Sequence, residues 1–234
     1  MPRQLLLIST STVFGTQYLE HAFTELRDFL GAARRVLFIP YALKQRDAYA
    51  AKARAAFESL GYALDSIHAA ASPRAALEEA EAVFCGGGNT FRLLATLQGL
   101  ELVESLRRRA AEGMPYSGAS AGANLACPSL KTTNDMPIVQ PRSFEALGLV
   151  AFQINPHYLD PDPGSRHMGE TRETRIKEFH EENDAPVVGL REGAMLRIDG
   201  DRVVLKGLAG ARIFRRGEEP AEAGPGACLD GLIS

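Results

Sequence analysis

Gly118-Ala119-Ser120-Ala121-Gly122 has the G-x-S-x-G spacing of a nucleophile elbow. The chemistry open to such a serine is acyl transfer: its hydroxyl attacks a carbonyl while a neighbouring base takes the proton. Small residues flank the serine because the chain must turn sharply from strand to helix. The turn strains the serine and exposes its hydroxyl. Residues 115–118 read as the strand and residues 120–127 as the helix. That helix start would offer free N–H groups to a developing oxyanion. A small-residue turn that only lets a helix pack closely on a sheet would look the same.

Gly86-Gly87-Gly88-Asn89-Thr90 also follows an apolar strand and opens a helix. Glycine lets backbone approach a ligand closely. The loop could cradle an anion, donate an N–H to an oxyanion beside Ser120, or be a plain tight turn. The spacings of the dinucleotide and P-loop motifs are absent.

A serine nucleophile needs a base, and the chain has five histidines. His21 follows the first strand and His68 ends the third, both read as structural or surface. His180 falls on a charged helix and is read as solvated. His167 lies in a Pro/Gly-rich loop. His157 follows the run Phe152-Gln153-Ile154-Asn155-Pro156, just past the carboxyl end of a buried strand. Site residues of parallel sheets stand at such ends. The imidazole needs an orienting carboxylate. Asp135 in a polar loop and Glu192 after the strand at 187–190 are both candidates, and position at a strand end favours Glu192.

These residues need a scaffold that brings strand ends together. Short apolar runs alternate with amphipathic runs through the first two-thirds of the chain: strands at 5–9, 36–41, 62–68 and 82–85, with helices at 18–30, 46–60 and from Ser72-Pro73. Leu19, Phe23, Leu26 and Leu30 share one helix face. Ser72 caps the third helix and Pro73 takes its first position. One long helix is expected from Asn89 to about Ala111. Such alternation implies an α/β fold, a parallel sheet with helices on both faces. Residues 131–144 read as loop, 152–155 as a strand stopped by Pro156, and 170–182 as a charged helix. A C-terminal antiparallel hairpin pairs 195–198 with 203–206 around an Asp199-Gly200 turn signal. Residues 212–214 could add a strand, and the last fifteen or so residues read as an edge or a loose tail. No repeat or linker divides the chain, so residues 1–234 are expected to form one domain.

Composition narrows the partners. The chain has 234 residues, 45% hydrophobic and 24% charged, with a net charge of −3. It has no basic patch for nucleic acid, since Arg107-Arg108-Arg109 reads as a solvated helix face. No apolar run approaches the roughly 20 residues of a membrane span. The four-residue apolar core near the start is too short for a signal peptide. Cys85, Cys127 and Cys228 form no C-x-x-C pair, so neither zinc nor a disulfide framework is expected. A cytoplasmic, reducing setting is.

Several motifs together resemble one family. Ser-Gly-Ala-Ser-Ala-Gly-Ala-Asn (117–124), Thr-Asn-Asp-Met-Pro-Ile-Val-Gln-Pro (133–141), Gln-Ile-Asn-Pro-His-Tyr (153–158) and Gly-Glu-Thr-Arg-Glu-Thr-Arg-Ile (169–176) look like peptidase E, the α-aspartyl dipeptidases, and so does Gly-Gly-Gly-Asn-Thr-Phe (86–91). The resemblance spans at least residues 80 to 195. It implies a fold similar to the class I glutamine amidotransferase domain, which is a flavodoxin-like parallel sheet, a Ser-His-Glu triad of Ser120, His157 and Glu192, and oxyanion donors at the Gly88 and Ala121 N–H groups. It also implies hydrolysis of dipeptides with amino-terminal aspartate, with no metal or other cofactor.

Such a substrate presents a β-carboxylate and a free ammonium. Arg172 is the leading candidate for the carboxylate, with Arg175 on the same helix face and Arg142 as further candidates. Glu170 or Asp135 could hold the ammonium, and Asn89 a main-chain carbonyl. The expected partner is a small peptide, with a homodimer left open. Rival readings are a cyanophycinase-like peptidase for larger substrates, a glutamine amidotransferase, which would need cysteine at 120, and a non-catalytic binding protein.

Overall fold

The computed structural model describes residues 3–232 apart from Ser165 and His167, so the candidate His167 lies outside the described residues. In chain order the elements are β1 (Gln4–Ile8), α1 (Phe23–Leu30), β2 (Arg35–Ile39), α2 (Arg46–Ser59), β3 (Ala63–Ser66), α3 (Pro73–Glu78), β4 (Ala82–Cys85), α4 (Thr90–Gly99), α5 (Val103–Ala111), β5 (Tyr116–Ala119) and α6 (Ala121–Leu125). Then come β6 (Gln153–Tyr158), α7 (Arg172–Glu182), β7 (Val187–Arg191), β8 (Ala194–Asp199), β9 (Arg202–Gly207), β10 (Ala211–Phe214) and β11 (Ala221–Ala223).

The main sheet runs β3-β2-β4-β5-β1-β8-β9. Its first five strands are parallel, and β8 and β9 extend it antiparallel. β1 is apolar on both faces because helices cover both. Leu6 and Ile8 pack with Leu26 and Phe29 of α1 and with Ala53 and Phe57 of α2. Leu5 and Leu7 pack in the opposite layer with Leu94 of α4, Leu106 of α5 and Leu125 of α6. Burying a leucine in such a layer contributes about 1.5–3 kcal/mol.

A second sheet, β11-β10-β7-β6, departs from the single sheet expected. β6 and β7 are parallel to each other but lie outside the main sheet. β6 also runs through Pro156 instead of stopping there. Its edge position makes this tolerable, because an edge strand can lack an N–H on its outer side.

The expected helix 89–111 is two helices. Glu101 adopts a left-handed φ of 56°, the Leu102 N–H reaches back to the Leu97 carbonyl at 2.9 Å, and the Glu101 N–H to Gln98 at 3.3 Å. This is a Schellman stop, with glutamate where glycine is usual. Helix 18–30 begins as a 3-10 turn, Glu20–Ala22, before α1. The 62–68 strand ends at Ser66 in another, Ile67–Ala69. Ser72 caps α3, accepting from the Ala75 N–H at 3.2 Å. The hairpin turn sits one residue later than its signal: Asp199 pairs with Arg202 around Gly200-Asp201. The tail packs along β9, where the Leu229 N–H donates to the Val203 carbonyl at 2.8 Å.

Candidate active site

Ser120 leaves β5 and precedes α6 with φ 52° and ψ −108°, a strained conformation for a residue with a side chain. Such strain persists only where the surroundings enforce it. The enforcement here is close packing: a Cβ on Gly122 would lie 2.2 Å from the Cys85 carbonyl oxygen, and one on Gly118 2.4 Å from the Gly122 carbonyl oxygen. The small residues therefore serve both purposes considered for them. They let α6 sit against β4 and β5, and the resulting turn presents the serine.

His157 also has a left-handed φ, 53°, at a register shift in β6 between Pro156 and Tyr158. The bulge re-aims its side chain. Nε2 lies 3.0 Å from Ser120 Oγ, and Nδ1 lies 2.7 Å from Glu192 Oε1. Glu192 directly follows β7. The three side chains thus form one hydrogen-bonded chain, drawn from the carboxyl ends of β5, β6 and β7. The base can take the hydroxyl proton, and the carboxylate can fix its tautomer.

The glycine loop after β4 passes against the serine. A Cβ on Gly87 would meet Ser120 Cβ at 3.1 Å and Oγ at 3.7 Å. Gly88 has φ 133°, and a Cβ there would lie 2.7 Å from Leu43 Cδ2 and 2.8 Å from the Ala42 carbonyl oxygen. Ala121 is the first residue of α6, so helix geometry leaves its N–H without an intrahelical partner.

A cleft of about 580 Å³ opens over this arrangement, lined by Tyr18, Tyr49, Lys52, Gly87, Gly88 and Asp135 beside Ser120 and His157. Tyr18, Tyr49 and Lys52 are site neighbours that sequence reasoning did not name; they carry no motif and reach the cleft through tertiary packing. Burial pushes Tyr49 up to about 12, so its hydroxyl, which accepts from Tyr18 at 3.3 Å, stays neutral. Burial also pushes the Cys85 thiol, at the end of β4, up to about 12. A thiol held protonated is a poor nucleophile.

The other candidates divide. Asp135 lines the cleft, but its Oδ2 is committed to the start of α4, accepting from the Thr90 N–H at 2.7 Å and from the Thr90 hydroxyl. It does not orient His157. Asn89 caps α4: Oδ1 accepts from the Arg92 N–H at 3.0 Å, and Nδ2 donates to the Met136 carbonyl at 2.9 Å. Its amide is spent on structure instead of reaching for a substrate carbonyl. Glu170, Arg172 and Arg175 share a second cleft with Asn134, Leu159 and Asp160. Glu170 precedes α7 instead of lying on it, because Thr171 is the cap, accepting from the Thr174 N–H at 3.1 Å. Glu170 pairs with Arg175 at 3.4 Å. Arg172 forms no ion pair among the described residues, and burial, then the neighbouring Arg175, lowers its pKa. Arg142 is exposed, and its backbone N–H donates to Gln98 at 2.7 Å.

His180 is buried, not solvated, with Nε2 at 3.1 Å from the Ala185 carbonyl. His21 is half-buried, and burial lowers its pKa against the opposing pull of the Thr10 backbone and of Glu192. His68 lies between Ser66 Oγ at 2.6 Å and Asp47 Oδ1 at 3.0 Å. Among the described residues no cluster of three or more His, Cys, Asp or Glu could hold a metal, and no helix is long and apolar enough to cross a membrane.

Comparison with known proteins places this geometry in context. The model of peptidase family S51 matches residues 5–206. Peptidase E of Streptomyces coelicolor is 57% identical over 229 residues, 98% of this chain and 94% of that one. A probable alpha-aspartyl dipeptidase of Drosophila melanogaster is 46% identical over 234 residues, covering 99% and 98%. Among solved structures, a peptidase from an acI-B1 actinobacterium superposes with a TM-score of 0.71 at 18% identity, covering 98% and 97% of the two chains. A putative peptidase E from Listeria monocytogenes does so at 0.68 and 24%, covering 89% and 100%. At those identities the two structures speak for the fold.

Proposed function

The chain belongs to peptidase family S51, and we propose that it is a serine dipeptidase that hydrolyses Asp-X dipeptides through an acyl-enzyme on Ser120, with His157 as base and Glu192 as orienting acid. The observation that carries the reading is the continuous chain from Ser120 Oγ through His157 to Glu192, at 3.0 and 2.7 Å. His157 takes the proton as Ser120 attacks the Asp-X carbonyl. The Gly88 and Ala121 N–H groups receive the oxyanion. His157 then protonates the leaving amine, and water releases aspartate by the reverse proton path. Both sheets contribute to the triad, which supports reading the chain as one catalytic domain. Three free thiols support a reducing, cytoplasmic setting.

The reading assigns the aspartate β-carboxylate to Arg172, a partly desolvated guanidinium without an ion-pair partner among the described residues. Arg175 is already paired. Asp135, in the wall of the triad cleft, uses Oδ2 for both Thr90 bonds, which leaves Oδ1 as the better placed carboxylate oxygen for the substrate ammonium. The triad cleft itself offers a second cation, Lys52. Arg172→Ala should raise KM for Asp-Leu and erase its advantage over Ala-Leu. If Lys52→Met does this instead, the carboxylate site belongs to Lys52.

The overall test is hydrolysis of Asp-Leu, Glu-Leu, Asn-Leu, Ala-Leu and acetyl-Asp-Leu by wild type and Ser120→Ala, with chelator present. Cleavage of Asp-Leu alone, lost in the variant, is expected. Cleavage by the variant, or no preference for free amino-terminal aspartate, would refute the proposal.

A further inference from the structure

Ser9, one residue past β1, is fully buried and belongs to no motif. Its hydroxyl accepts from the backbone N–H of His157 at 2.9 Å and donates to the Leu190 carbonyl at 2.7 Å. The hydroxyl thus stands between the His157 N–H and the Leu190 carbonyl at the edge of the β6–β7 ladder. The Ser9 backbone N–H donates to the Ala194 carbonyl at 3.0 Å, and the Ile8 carbonyl next to it accepts from the Ser120 N–H at 2.9 Å. The dipeptide Ile8-Ser9 therefore touches the backbone of Ser120, the backbone of His157, and both sides of Glu192.

This matters because the candidate triad is split between two sheets. Ser120 comes from the main sheet, whereas His157 and Glu192 come from the second. The left-handed His157 sends its backbone N–H to Ser9 and not to a strand neighbour. Resting on the function proposed above, we propose that Ser9 is a positioning residue, whose hydroxyl pins the His157 bulge and the end of β7 to β1 and so sets imidazole to hydroxyl distance. A single hydroxyl can do this because it donates and accepts at once. An alanine there would leave two backbone groups without that partner and free the bulge to shift. A displacement of about 1 Å at a reacting group can cost about 100-fold in rate.

The test uses the full chain with Ser9→Ala, Ser9→Cys and, as a matched control, Ser117→Ala. Ser117 is also fully buried, and its hydroxyl donates to the Val83 carbonyl at 3.0 Å without touching His157. The readouts are kcat and KM for Asp-Leu, the rate of fluorophosphonate labelling, and thermal unfolding, with rates taken well below Tm. Ser9→Ala should lose at least about tenfold in kcat and in labelling rate, with KM within about twofold. Ser9→Cys, which keeps a weaker donor and acceptor, should fall between. Ser117→Ala should lower Tm comparably while keeping kcat.

A kcat for Ser9→Ala equal to that of Ser117→Ala overturns the positioning role while leaving the dipeptidase reading intact. So does failure of both Ser9 variants to fold, which would make Ser9 a stability residue. If wild type is labelled but does not cleave Asp-Leu, the substrate assignment fails, and labelling rates still decide the role of Ser9. If wild type is not labelled at all, the triad and the positioning role fail together.

Discussion

Among the described residues there are two Ser-His-acid chains, and one of them has the surroundings of a catalytic site. Ser66–His68–Asp47 has contacts of 2.6 and 3.0 Å, and Ser120–His157–Glu192 has contacts of 3.0 and 2.7 Å. Contact distance does not separate them. Ser66 is buried in ordinary extended backbone, with φ −108° and ψ 126°. Its histidine is two residues away, and its acid, Asp47, is fully exposed on α2. Ser120 instead has a strained backbone, a helix start behind it, a glycine loop against it and an open cleft above it. A proton path alone does not lower a barrier; donors aimed where the oxyanion forms do.

Mutations in matched pairs would sharpen that contrast. The largest effect belongs to the serines: Ser120→Ala should lower kcat for Asp-Leu by about 10⁶-fold, by analogy with triad knockouts, whereas Ser66→Ala should leave it unchanged. Next come the acids. Glu192→Gln should cost about 10³–10⁴-fold in kcat by losing the correct tautomer, and Asp47→Asn should cost nothing measurable in the same assay. Gly88→Ala should cost about 10²–10³-fold, because its φ of 133° and the crowding at Ala42 and Leu43 would displace an oxyanion donor. The smallest effect is a negative one. With the Cys85 and Cys127 thiols pushed up to about 12, both remain protonated at pH 8, and iodoacetamide should modify native Cys228 alone without loss of activity.

How legible each part was depends on how local its cause is. The β1 run, the Ser72 cap and the glycine-flanked serine are visible because a few adjacent residues determine them. The break at Glu101 is not, since a left-handed glutamate has no sequence signature. Nor is the second sheet: Pro156 argues against a strand until the strand is known to lie at an edge. Position at strand ends singled out His157 and Glu192, and the structure brings both to Ser120. The same reasoning could not see that Asn89 and Asp135 Oδ2 brace the start of α4, or that Ser9 meets His157 across 148 positions. Those contacts exist only once the sheets are assembled.

The central claim is that Ser120 is the activated serine of an acyl-transfer site. Native protein treated with a fluorophosphonate, digested and mapped by mass spectrometry tests it most directly. The account predicts one labelled residue, Ser120, with labelling abolished by His157→Ala and unaffected by His68→Ala. Label on Ser66, or labelling of Ser120 that survives His157→Ala, would contradict it.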